Sequence, residues 1–132
     1  LAKGKGALAK MVPPFKMFVG GPLGWGQQWM PWIHIEDEIG LICFLIDNDG
    51  ARGAFNASAP NPVTMAEFSK ILGDVLNRPS WACVPPSVLA LIVGEMADIL
   101  INGQRIVPEA ALKLGYNFKY LHLADALRSL KL

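Results

Sequence analysis

The stretch that most constrains this chain is Gln28-Trp29-Met30-Pro31-Trp32-Ile33-His34-Ile35-Glu36-Asp37. It brings two of the four tryptophans, one of the two histidines and the start of a carboxylate run into ten residues, behind a glycine-rich segment from Gly20 to Gly26. Trp32 to Ile35 reads as a short strand. Glu36-Asp37-Glu38 places carboxylates in the first turn of a following helix, where the partial positive charge of the helix start favours them. A loop, a strand and a helix start are therefore expected to meet at one point. That junction specifies a shape and names no reaction.

At 132 residues the chain fits one folding unit, large enough to bury roughly two-thirds of its unfolded surface. Hydrophobic residues make up 52% and charged residues 17%, so little polar surface is left to cover the outside, and part of the apolar surface is expected to meet something else. Lys plus Arg is 12 against 11 for Asp plus Glu, with the basic residues scattered, which argues against nucleic-acid binding by phosphate neutralisation. The longest apolar runs, Ile39 to Ile46 and Val88 to Val93, are too short for the ~20 residues of a membrane span. No signal peptide is visible, and an opening at Leu1 rather than methionine suggests a fragment. Cys43 and Cys83 lie in apolar settings without a metal-spaced partner. They predict reduced, buried thiols in a cytoplasmic compartment, or in the plastid stroma of a plant.

In chain order, Ala7 to Met11 has helical spacing, and Pro13-Pro14 is expected to end that helix or start a new turn. Gly20 to Gly26 is a loop; its Gly21-x-x-Gly24-x-Gly26 spacing lacks the strand-before, helix-after setting of a dinucleotide fingerprint. A helix is expected from about Asp37 to Asp47, with Ile39, Ile42 and Ile46 on one face, widened by Leu41 and Leu45 and so largely buried. Gly53 to Ala57 reads as a further short strand. Thr64-x-x-Glu67 is a capping box opening a helix whose stripe is Met65, Phe68, Ile71, Leu72, Val75 and Leu76, ending at Asn77-Arg78-Pro79. Trp81 to Val84 predicts a strand and Ser87 to Ile101 a helix apolar almost all round. Pro108 and Gly115 bracket a one-to-two-turn helix, Tyr116 to Tyr120 is extended, and Leu123 to Leu130 closes as an amphipathic helix. The fold class is mixed α/β, helix-rich, with three or four short strands completing a larger parallel sheet.

A search for chemistry finds little. His34 and His122 stand without a nucleophile at a recognisable spacing, which leaves each a structural or surface role. Glu36, Asp37 and Glu38 read as caps before they read as acid and base. Glu95 and Asp98 share a helix face but lack a third ligand for a metal. Gln104 and Arg105 could clamp an anionic group, or Arg105 could form a plain ion pair with Glu95, Asp98 or Glu109.

The order Gly6-Ala7-Leu8, Gly20-Gly21-Pro22, Gln28-Trp29-Met30-Pro31-Trp32-Ile33-His34-Ile35, Phe55-Asn56-Ala57-Ser58-Ala59-Pro60-Asn61-Pro62, Gly94-Glu95-Met96-Ala97 and Gly103-Gln104-Arg105-Ile106-Val107-Pro108 resembles the C-terminal half of NAD(P)-dependent epimerase/dehydratase-like proteins. These are extended short-chain dehydrogenase/reductases, of the subgroup ending in a small domain of unknown function; some members carry the label cell-division inhibitor. The resemblance covers nearly the whole chain.

It implies a helix-rich substrate-binding lobe completing a Rossmann-type sheet whose N-terminal part is absent from this chain. Residues 1–84 would end the dehydrogenase domain, and 85–132 would form a small helical C-terminal domain. Such enzymes use an N-terminal glycine-rich turn for the cofactor and a Tyr-x-x-x-Lys pair for hydride transfer. Here Tyr116 and Lys119 are one residue too close and no glycine fingerprint opens a strand–helix unit. The resemblance thus implies NAD or NADP, with NADP favoured, in a full-length parent, and neither cofactor nor catalysis for this chain alone. Carried over residue by residue, Gln28, Trp29 and Met30 would shape the pocket lip. Trp32 and His34 would orient substrate or brace the loop, and Gln104 and Arg105 would meet an acidic or phosphorylated substrate or pin the terminal domain to the lobe. Many extended relatives grip a nucleotide diphosphate with an arginine near Gln27 or Gln28; two glutamines here argue against a nucleotide sugar. The implied partners are the N-terminal Rossmann half and a small-molecule substrate, with self-association through exposed apolar surface as a further outcome. The alternative is a non-catalytic protein-interaction module linked to cell or plastid division.

Overall fold

The computed structural model describes residues 1–83 and 103–132. Among them the chain is a small α/β unit with five helices: α1 (Gly6–Lys16), α2 (Ile35–Ile46), α3 (Met65–Leu76), α4 (Glu109–Lys113) and α5 (Leu123–Ser129). Two short strands, β1 (Trp29–Met30) and β2 (Val63–Thr64), pair antiparallel, with Trp29 opposite Thr64 and Met30 opposite Val63. The expected helix over Ser87–Ile101 and the residues Glu95 and Asp98 lie outside the described residues.

The strongest local signal forms as the sequence dictates. Thr64 Oγ1 accepts from the Glu67 backbone N–H, and the Glu67 carboxylate accepts from the Thr64 N–H at 2.8 Å. Two of the helix's orphan donors are thereby satisfied. Asn77 ends α3 in the left-handed conformation (φ 53°, ψ 47°), which an asparagine tolerates. Met65, Phe68 and Leu72 on its buried face are fully inaccessible. They form one core with Leu8, Met11 and Phe15 of α1, Trp32, Ala59, and Leu123, Ala126 and Leu127 of α5.

Four expectations are corrected. α1 runs through Pro13 and Pro14 to Lys16. Its buried residues Leu8, Met11 and Phe15 recur at i, i+3 and i+7, so packing on the core carries the helix past two missing N–H donors. Trp32–Ile35 and Gly53–Ala57 form no strand ladder, nor do Trp81–Cys83. Residues 31–34 are extended all the same: Trp32 O accepts from Ala59 N–H at 2.7 Å, while Ile35 N–H donates to Leu1 O at 2.9 Å and the Leu1 amine reaches Ile33 O.

The third concerns α2. Leu41 is buried, but Ile39, Ile42 and Ile46 are 56%, 52% and 77% exposed, so the stripe expected to face the core faces outward. The helix has apolar residues on both sides, and its buried face is chosen by Asp37 and Leu41, which meet the segment from Ala111 to Tyr120. Cys43, on the outward side, and Cys83 are free and exposed, against the expectation of buried thiols.

Candidate functional site

The segment from Gln28 to Asp37 is the hub on which distant parts of the chain converge. Gln28 O accepts from Met65 N–H at 2.9 Å, which docks the loop end on the start of α3, and Gln28 Nε2 donates to Leu23 O at 2.7 Å, which folds the glycine-rich loop back on itself. Gly26 adopts φ 76° and its carbonyl accepts from Ala66 N–H at 2.8 Å. A left-handed glycine is therefore what lets the loop meet α3. Trp32 is buried, with its indole N–H donating to Asn61 O at 3.1 Å.

His34 is 2% exposed and caps α2: its Nδ1 accepts from Glu36 N–H at 3.2 Å. That leaves Nε2–H to donate to Ser129 Oγ, 3.1 Å away, whose own hydroxyl donates to Ala126 O at 2.7 Å. The ring also stacks on Tyr120, centroids 4.0 Å apart. This arrangement needs a neutral imidazole, because a proton on Nδ1 would face the Glu36 N–H. Burial lowers the His34 pKa, with the Leu1 amine and Lys119 acting in the same direction and Glu36 and Asp37 opposing. His34 thus ties the start of α2 to α5, a bracing role.

The carboxylates behind it are structural as well. Asp37 is buried, and its two oxygens accept from the backbone N–H groups of Lys119 at 2.7 Å and Tyr120 at 2.9 Å. Glu36 pairs with the Lys119 ammonium, which holds the glutamate below and the lysine above its ordinary pKa. Tyr116 donates its hydroxyl to Asp37 O at 3.0 Å, in space that Gly40 leaves free: a Cβ there would come within 2.5 Å of that hydroxyl. Burial raises the Tyr116 pKa, the opposite of what a hydride-transfer tyrosine beside a lysine requires. The Tyr116–Lys119 pair is thus engaged in fastening residues 116–120 to α2. Asp37, Tyr120 and Ser129 were not singled out by sequence reasoning for these roles; their partners lie 79 to 95 residues away, beyond any local spacing rule.

The other expected site residues fall into two places. Arg105, exposed, sets its guanidinium over the Trp29 ring at 5.4 Å, a cation–π arrangement. Gly103 comes so close to the Trp29 carbonyl that no side chain would fit, and this contact brings Gln104 and Arg105 to β1. Met30 and Trp32 instead line a cavity of ≈ 490 Å³ between the start of α1, residues 30–35, residues 56–58 and Ile106. That volume is in the range of small-molecule sites. Gln28, Trp29, His34, Gln104 and Arg105 do not line it. Among the described residues no group of three or more His, Cys, Asp or Glu side chains could hold a metal, and no helix is long and apolar enough to cross a membrane.

Residues 84–130 match a family described as a domain of unknown function, DUF1731. The chloroplastic epimerase family protein SDR39U1 homolog of Arabidopsis thaliana is 48% identical over 98% of this chain and 38% of its own length. The epimerase family protein YfhF of Bacillus subtilis is 42% identical over 96% of this chain and 42% of its own. The crystal structure of human epimerase family protein SDR39U1 with NADPH superposes with a TM-score of 0.91 at 34% identity, over 98% of this chain and 44% of that one. The chain therefore spans about two-fifths of the length of the curated relatives it matches. In sequence, and in the fold of the described residues, the chain is similar to the C-terminal part of the epimerase family proteins.

Proposed function

We propose that this chain is the substrate-side C-terminal portion of an NAD(P)-dependent oxidoreductase or epimerase of the extended short-chain dehydrogenase type, acting in the cytoplasm or a plastid stroma and inactive by itself. The observation that carries the reading is the TM-score of 0.91 against a relative solved with NADPH, of which this chain accounts for 44%. The cofactor, with NADP favoured, belongs to the part that the relatives carry beyond this match, and supplies the hydride. This chain's residues bind and orient the substrate. Gln28, Trp29 and Met30 form the pocket lip, Gln104 and Arg105 present donors to an acidic group, and Trp32 and His34 hold the lip in place from beneath. Arg105 suits the task because its charge is not spent in an ion pair among the described residues and its plane is already positioned over Trp29. The boundary near residue 84 is supported by the start of the matched family there.

The test is NADPH titration, followed by nicotinamide fluorescence, of this chain joined to the N-terminal part that its relatives carry. Saturable binding by the joined protein and none by the 132-residue chain is the expected result. A second reading, a non-catalytic interaction module, is favoured by the exposed isoleucines of α2. Absence of NADPH binding together with self-association of this chain would establish it instead.

A further inference from the structure

Where α1 ends, Phe18 N–H donates to Phe15 O at 2.9 Å and Val19 N–H to Pro14 O at 3.0 Å. That pair of bonds closes a helix through a left-handed residue, usually glycine. Here Phe18 takes the place, with φ 64°, although Gly20 and Gly21 follow directly. A bulky residue in this region is strained, and Phe18 does not offset the strain by entering the core: it is 54% exposed.

Met17, Val19 and Trp81 are exposed beside it. Trp81 is fixed to this turn by its backbone N–H, which donates to Gly20 O at 3.1 Å, and by its indole N–H, which donates to Phe18 O at 2.9 Å. The Arg78 guanidinium lies over the Phe18 ring at 4.5 Å, and Lys16 stands, exposed, in the last turn of α1. Aromatic, aliphatic and cationic groups are thus displayed together, on turns. We propose that this end of the molecule is a tip that docks on an anionic bilayer, with Phe18 and Trp81 at headgroup depth and Lys16 and Arg78 on the headgroup charges. The proposal is independent of the oxidoreductase reading.

Charge and area select that occupant. Across residues 10–26 and 70–83, Lys10, Lys16, Lys70 and Arg78 stand against the single carboxylate Asp74, which suits anionic lipid and sets a second copy of the same surface in repulsion. Four exposed apolar side chains also fall far short of the ~800 Å² per partner of a stable protein interface. A bilayer asks for no matching shape: apolar insertion and headgroup attraction add, and tryptophan favours the membrane–water boundary.

The test is flotation of the 132-residue chain with vesicles of phosphatidylglycerol and phosphatidylcholine in equal amounts, against vesicles of phosphatidylcholine alone. Flotation with the anionic vesicles only is expected. Phe18→Gly puts the usual residue in the strained position, so it should keep the far-UV circular dichroism and melt no lower than the parent. It should nevertheless partition about fivefold or more weaker, having lost its aromatic ring. Lys16→Gln should weaken partitioning by about fivefold as well. Quenching of tryptophan fluorescence by lipids brominated near the headgroup should fall sharply in Trp81→Phe. Absence of flotation would overturn the proposal, as would undiminished quenching in Trp81→Phe, which would place Trp25 at the bilayer instead. Equal flotation with neutral vesicles, or an Ile42→Asn variant that loses as much binding as Phe18→Gly, would move the contact to the outward face of α2 and overturn it too. Concentration-dependent sedimentation without flotation, abolished by Phe18→Gly, would make a second copy the occupant and refute the bilayer.

Discussion

Asp37→Asn is the substitution that most sharply probes how the C-terminal segment is held. The carboxylate is 2% exposed and each of its oxygens accepts one backbone N–H, from Lys119 at 2.7 Å and Tyr120 at 2.9 Å. Asparagine keeps one acceptor and turns an NH₂ toward the other donor. One charge-assisted bond, about 1.5–3 kcal/mol, is lost, and a backbone N–H is left without a partner at about 1–3 kcal/mol more. The expected cost is therefore about 2.5–6 kcal/mol, a large share of the ~5–15 kcal/mol that holds a domain of this kind together. Glu36→Gln is the control: it breaks the ion pair to Lys119, whose side chains are 64% and 52% exposed, at about 1 kcal/mol or less. Urea unfolding followed by far-UV circular dichroism, analysed with a common slope, gives both differences. The reasoning is refuted if Asp37→Asn costs under about 1 kcal/mol, or if Glu36→Gln costs as much.

Three further outcomes follow from the same geometry. Because burial lowers the His34 pKa, the folded state binds fewer protons than the unfolded one. The stability this contributes is present above the unfolded value of about 6.5 and falls away as pH drops below it, down to the folded pKa. His34→Asn, which can still cap, flattens that dependence in urea midpoints measured across the interval. Thr64→Ala removes the hydroxyl from the capping box and costs about 1 kcal/mol in thermal or urea unfolding. Gly103→Ala drives a methyl group into the Trp29 carbonyl; unfolding measurements should register about 1–3 kcal/mol of destabilisation, while an unchanged midpoint would remove the contact that brings Arg105 to Trp29.

What the sequence made legible was local. The capping box, the Asn77 stop and the Pro108–Gly115 bracket each rest on residues a few positions apart, and each appears where expected. The carboxylates at the start of α2 are in its first turn as read, although His34 supplies the cap. Periodicity found the α2 stripe but could not say which side faces inward, because Leu41, Phe44 and Leu45 form a second apolar side and the choice is made by contacts with residues 111–120. The prolines of α1 misled for a similar reason: tertiary packing of Leu8, Met11 and Phe15 overrides a local breaker. Of the expected site, Trp29 and Arg105 do meet, and Met30 and Trp32 share a cavity. The His34–Ser129 bond joins residues 95 positions apart, and no motif spacing encodes it.

The most direct test of the central claim is a crystal structure, with NADPH bound, of this chain joined to the N-terminal part of its relatives. The account predicts that the nicotinamide ring opens toward this lobe, with Gln28, Trp29, Gln104 and Arg105 bordering the space above it and His34 still bonded to Ser129 beneath. A nicotinamide that opens onto a pocket built entirely from the N-terminal part, with Trp29 and Arg105 on a remote surface, would contradict it.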